Sequence, residues 1–181
     1  MTKVKEGAID RLGLLYERYH KVLFTFLYRM HCDAGVSEDL VQDVFIRILR
    51  YRNGFRGGGS FKVWMFHVAR NVSNDQFKKD NRRKFVTSDI EKWNNKITDD
   101  TEHKSTEIKE YNDRMLYDAL EMIEPEKKQL IVLSKLEGMK YNAIGELYGI
   151  SEGNVKVRVF RALGDLKKVI SMMSRDFDYT T

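Results

Sequence analysis

Proline occurs once in this chain of 181 residues, at Pro125. A proline inside a helix removes a hydrogen bond and clashes with the preceding turn, so a chain with a single one is free to be helical almost throughout. The apolar residues are spaced for it. Leu12, Leu15, Tyr19, Val22, Phe26 and Met30 recur at steps of three and four, which predicts an amphipathic helix over 8–30. HCDAG then breaks the pattern. Ser37 is the expected N-cap of a second helix, with Glu38 and Asp39 in its first turn where the helix dipole favours acids. Its stripe is Leu40, Val41, Val44, Phe45, Ile48 and Leu49.

Helicity is interrupted from about Asn53 to Ser60 by a glycine-rich stretch. A third helix follows, with Phe61, Trp64, Met65, Val68, Val72 and Phe77 on its apolar side and the basic cluster KKDNRRK (78–84) at its end. Residues 87–112 lose the periodicity and become rich in Asp, Glu, Asn, Ser, Thr and Lys, a composition that buries too little surface to order itself strongly. Trp93, with Ile90 and Ile97, is placed for one amphipathic turn there. Helical periodicity returns over roughly 113–123, 125–137, 141–148 and 152–170, and no strand pattern competes with it. The expected fold is all-α: two small helical domains, 1–86 and 113–181, joined by a flexible linker at 87–112, the second containing a helix-turn-helix.

The net charge of +5 follows the same division. Residues 1–86 carry +8, residues 87–112 carry −3, and residues 113–181 are neutral. A basic first module suits a polyanionic partner, although a solvated charged surface has the same composition. The single cysteine, Cys32, excludes an internal disulfide and fits a reducing compartment. The start, MTKVKEGAIDRLG, has no apolar signal core, and the aliphatic run LIVL (130–133) is too short to span a bilayer. A cytoplasmic protein without membrane insertion is expected.

The strongest local signal is YNAIGELYGISEGNVKVRVFRAL, from Tyr141. Gly145 sits where two helices must approach closely, so that a side chain larger than alanine would hold them apart. Gly149 suits the left-handed turn that ends a helix, and Ser151 can cap the next. Val155, Val159, Leu163, Leu166 and Ile170 form that helix's core stripe, leaving Asn154, Lys156, Arg158, Arg161 and Lys168 mostly outward. Such a helix reads base edges from its N-terminal end and holds phosphates around it. The same pattern fits a helical hairpin with a basic solvated face, and dimeric repressors share the motif.

FRGGGSFKVWMF (55–66) sets three glycines among four large rings and two cations. Glycines near cations can cradle a phosphate, and rings between cations can stack on unpaired bases. The stretch lacks the Lys-Ser/Thr ending of a P-loop, which argues against nucleotide hydrolysis. His20, His31, His67 and His103 are scattered and His31–Cys32 are adjacent, so no metal site or catalytic constellation is expected. No cofactor is called for.

Four blocks in order, YERYHKVLFTFLYR, SEDLVQDVFIRILR, FRGGGSFKVWMFHVARNVSNDQFKK and the helix-turn-helix, make the chain resemble the bacterial RNA polymerase sigma factors of the extracytoplasmic-function group, from about Leu12 to Lys168. The resemblance implies a non-enzymatic promoter-specificity subunit that binds core RNA polymerase through the β′ clamp helices and the β flap, recognises the −10 and −35 elements, and helps melt promoter DNA. It assigns the β′ contact to Asp39, Gln42 and Asp43, with the exposed Ile46 beside them. From the residues alone, that face also reads as a solvated surface with an Asp43–Arg47 pair worth about 0.2–0.5 kcal/mol. For the −10 element the resemblance points to the loop before the aromatic helix, here Phe55, Arg56 and Lys62, and to the cations Arg70, Lys78, Lys79 and Arg82. Trp64, at helical spacing, is expected to be core. For the −35 element it points to Asn154, Lys156, Val157, Arg158 and Arg161. Members of the group are often held by an anti-sigma factor.

The chain departs from the family pattern in places. Gly145 replaces a common alanine, Asn154 and Val157 replace a usual Thr and Ser, and Glu124 stands before Pro125 where leucine is typical. Two other readings compete: a stand-alone helix-turn-helix repressor that senses a ligand, and a nucleotide-using enzyme built around the glycines.

Overall fold

A computed structural model describes residues 1–57, 59–86 and 114–178, with side chains from 83–86 and 175–178 excepted. All regular structure among the described residues is helical. The chain divides into two compact units, the first holding the described residues from Met1 to Val86 and the second most of those from Arg114 onward. The linker expected over 87–112, with Trp93, lies outside the described residues.

The first unit opens with a short helix, α1 (Thr2–Lys5), and a 3-10 turn, Ile9–Arg11. Three long helices follow: α2 (Leu12–His31), α3 (Ala34–Arg50) and α4 (Phe61–Val86). The buried stripe of α2 is Leu23, Phe26, Leu27 and Met30. The expected stripe fits only its C-terminal half, since Leu12, Leu15, Tyr19 and Val22 are half-buried. The stripe expected on α3 is buried except for Leu49. On α4 the core takes Met65, Val68 and Val72 as expected, and also Phe66, Ala69 and Ser73. Phe26 meets Phe66 edge-on at 5.3 Å, the geometry that aromatic quadrupoles favour.

The turn between α2 and α3 corrects the expected cap. Cys32 takes a left-handed conformation (φ 54°) to end α2, and Asp33 caps α3 by accepting the Val36 N–H at 2.8 Å. Ser37 lies inside α3, fully buried, and its hydroxyl donates to the Asp33 carbonyl. The hydroxyl is satisfied as an internal back-bond, so it is not free to cap. Aspartate after the break was the available signal.

In the second unit, α5 (described over 114–121) precedes α6 (Pro125–Ile131), which continues into a π turn at Val132–Leu136. Pro125 occupies the first helical turn, where its missing N–H leaves no bond unmade. Then come α7 (Tyr141–Tyr148) and α8 (Glu152–Asp178), the latter longer than its expected end at 170. Ala119, Leu120, Ile123, Ile131, Ala162 and Leu166 form the core that joins α5, α6 and α8.

Gly149 ends α7 at φ 66°, and the Ser151 hydroxyl accepts the Asn154 N–H at 3.3 Å to cap α8. The role of Gly145 is sharper than expected. A Cβ there would stand 2.7 Å from the Ile150 carbonyl oxygen, so even alanine does not fit without a shift. The close approach is made by the turn backbone, which also donates the Ile150 N–H to the Gly145 carbonyl at 3.0 Å.

Candidate functional site

On α3 the buried stripe turns the opposite face outward. Asp39 and Gln42 are exposed, and Ile46 is 55% exposed one turn further on, a large apolar side chain left in water. Asp43 shares that face but is not free. Arg47 reaches it at 3.0 Å and also reaches Asp75 of α4 at 2.8 Å, so the guanidinium bridges α3 to α4. Burial alone lowers the pKa of Arg47; the hydrogen bonds it donates to Asp75 and Asp43 more than reverse this, leaving it above its ordinary value. The face therefore combines two polar groups, one carboxylate already shared, and one exposed isoleucine.

The segment before α4 is organised around Phe55, and here one expected role is corrected. Phe55 is only 6% exposed, its ring packed 5.5 Å from Trp64 and 6.2 Å from Phe61. A ring closed in by two others has no face to offer a base, so Phe55 is core rather than a stacking residue. Trp64, expected to be core, is half-buried. The Phe55 carbonyl accepts a hydrogen bond from Lys5 Nζ at 3.0 Å, and neighbouring Val4 is 1% exposed, so α1 fastens the start of the loop. Arg56 and Lys62 are exposed at either side of the glycines. Lys78, Lys79 and Arg82 are exposed and Arg70 is half-buried. Lys62 and Lys78 are ~24 Å apart along the axis of α4 at 1.5 Å per residue, so these cations are spread along the helix and do not form one patch.

On α8, Val155, Val159 and Ala162 are at most 1% exposed. Asn154, Lys156, Val157, Arg158 and Arg161 are all exposed, as expected. Phe160, which sequence reasoning passed over, is 78% exposed among them. The signal was its offset by one position from Val159, which places it off the core stripe. Arg158 pairs with Glu126 of α6 at 2.8 Å. Among the described residues, no group of three or more His, Cys, Asp or Glu side chains could hold a metal ion, and no helix is long and apolar enough to cross a membrane.

Two family models match the chain: sigma-70 region 2 over residues 15–83 and sigma-70 region 4 over residues 113–166. Together they take in more than half of it, including α2 to α4 and the helix-turn-helix. This chain belongs to the sigma-70 family, in its extracytoplasmic-function group. It is 28% identical to the RNA polymerase sigma factor CarQ of Myxococcus xanthus, over 94% of this chain and 95% of that one. It is 29% identical to the ECF RNA polymerase sigma factor SigX of Bacillus subtilis, over 92% and 87%. The fold is that of the sigma factor RpoE of Bartonella quintana, solved with the anti-sigma factor NepR (TM-score 0.68, 22% identity, 88% and 96% coverage). CnrH, solved with the cytosolic domain of CnrY, shares it too (TM-score 0.68, 17% identity, 94% of each chain).

As a sigma-70 family member the protein is a non-enzymatic, promoter-specific initiation factor whose partners are core RNA polymerase and promoter DNA. The repressor and nucleotide-enzyme readings fall with that assignment. Region 2 contains both the α3 face and α4 with its cations; region 4 contains α8 up to Leu166.

Proposed function

We propose that this sigma factor docks on the β′ clamp helices of core polymerase through Asp39, Gln42, Asp43 and Ile46 of α3. Exposed Ile46 supports this reading best: a solvated face gains nothing from a large apolar side chain among carboxylates, whereas a protein interface does. In the same scheme Arg56 and Lys62 flank a glycine-rich loop that closes on an unpaired −10 base. Arg70, Lys78, Lys79 and Arg82 follow the backbone of the melting strand, with half-buried Trp64 a ring available for stacking. Asn154, Lys156, Val157, Arg158 and Arg161 address the −35 element. The two modules are 1–86 and 113–181, separable at 87–112, and the protein works in the cytoplasm, with the β flap as a second polymerase contact and an anti-sigma factor as its restraint.

The deciding experiment is in vitro transcription with core polymerase over a genomic promoter library, which returns activity and promoter motif together. Loss of core binding on Asp39→Ala and Ile46→Ser, with folding unchanged, supports the docking face. Core binding equal to that of the unaltered protein removes it.

A further inference from the structure

We infer that Val157 reads the C5-methyl group of a thymine in the −35 element, so that a thymine on one strand is a fixed letter of this protein's promoter. The inference rests on α8 being the −35 reading helix and assigns the chemistry of one of its contacts.

On α8 the buried residues Val155, Val159, Ala162 and Leu166 define the inward direction. At 100° per residue, Val157 lies almost opposite them, with Phe160 beside it. These two are 47% and 78% exposed, and both are apolar. Neither contributes to the core, and a β-branched or aromatic residue on an exposed helix surface is a poorer helix former than the Ala, Glu or Lys that a solvated face would use. Gly153, one turn before Val157 on the same strip, leaves it without a side chain, and a Cβ there would meet nothing in the protein within 4 Å. The strip is therefore smooth, apolar at its centre, and rimmed by Asn154, Lys156 and Arg161.

A helix enters the major groove, and the apolar group that a base pair offers there is the thymine methyl. Valine has no donor or acceptor, so it cannot tell donor from acceptor edges. Nor can it hold a phosphate. What it can distinguish is the presence of a methyl. Phe160, next to it, excludes water from the contact, while Arg161 and Lys156 supply hydrogen bonds and charge on either side.

The test uses the full chain bound to core polymerase and the −35 duplex it selects from a randomised library. Thymines in that duplex are replaced one at a time by deoxyuridine, which pairs identically and lacks the methyl. At one position the replacement weakens binding about fourfold, the worth of one buried methyl, and in Val157→Ser the same replacement has no effect. Selection of a −35 element without thymine on either strand overturns the inference. So does a duplex indifferent to every deoxyuridine, or a deoxyuridine effect that survives Val157→Ser and disappears in Phe160→Ala. If scrambling the whole −35 duplex costs no affinity, it is the assignment of α8 as reader that fails. A sequence-specific duplex with no methyl dependence refutes the Val157 contact alone.

Discussion

Arg158 Nη1 stands 2.8 Å from Glu126 Oε1, so one cation of α8 already has an acidic partner within its own unit. The pair is exposed and worth at most about 1 kcal/mol, a restraint that a phosphate can compete away. Glu126→Gln should therefore tighten binding to −35 duplexes of any sequence by up to about fivefold at low salt. Arg158→Ala should weaken all sequences alike and reduce the salt slope by about 1. Titration of both variants at several salt concentrations checks this. Sequence-dependent losses in Arg158→Ala would instead make it a base reader.

The carboxylates of α3 should separate by function and stability. Asp39→Ala is expected to weaken core-polymerase binding and leave the melting temperature unchanged. Asp43→Ala should weaken binding too, and also lower the melting temperature of the first unit by a few degrees. It removes one of the two carboxylates on half-buried Arg47, a loss of up to about 1 kcal/mol. Calorimetry beside a core-binding assay distinguishes the two, and equal melting temperatures for both variants would deny Asp43 a structural share.

Gly145→Ala should destabilise the second unit although alanine is the better helix former by about 1 kcal/mol. The added methyl meets the Ile150 carbonyl at 2.7 Å, on backbone that cannot swing aside as a side chain would. A rise in the melting temperature of this variant would show that the turn relaxes without cost.

Phe55 and Arg56 are neighbours with opposite roles. Phe55→Ala removes a buried ring and should cost about 3–5 kcal/mol of first-unit stability, whereas Arg56→Ala should leave folding intact and weaken binding to single-stranded −10 DNA. Thermal melts and a −10 oligonucleotide titration check the pair. A folded Phe55→Ala protein with a specific −10 defect would restore the stacking role to that ring.

The Lys127–Asp165 contact, 2.9 Å between α6 and α8, gives the second unit a pH window. The hydrogen bond and charge of Lys127 hold the Asp165 carboxyl below its ordinary 3.8, and Asp165 in turn holds Lys127 above 10.5. The carboxylate's contribution is present above its unfolded value and is lost as pH falls through the lower folded one. The ammonium's is complete below its unfolded value and is lost as pH rises past the higher folded one. The gap in melting temperature between the wild type and Asp165→Asn should thus be constant from about pH 5 to 9 and close below about pH 3.8. A gap that does not shrink at all between pH 5 and pH 2 would trace it to packing.

Where burial decides position, the chain could be read in advance. The α3 stripe, the Gly149 turn, the Ser151 cap and the valines of α8 follow from period and local chemistry alone. What escaped depends on partners distant in sequence. Phe55 carries the same residue type as a stacking ring, and its burial comes from Phe61 and Trp64 closing over it. The Arg158–Glu126 pair joins residues 32 apart. Asp33 and Ser37 are both good caps; Asp33 takes the role and Ser37 is buried inside α3. On α8, Phe160 was passed over, although its offset from Val159 places it off the core stripe.

Lys5 grips the main-chain carbonyl of residue 55, a group every amino acid possesses, and Val4 is buried beside it. The clasp is thus indifferent to the letters that follow it. A substitution at Arg56 therefore leaves the anchor point where it is.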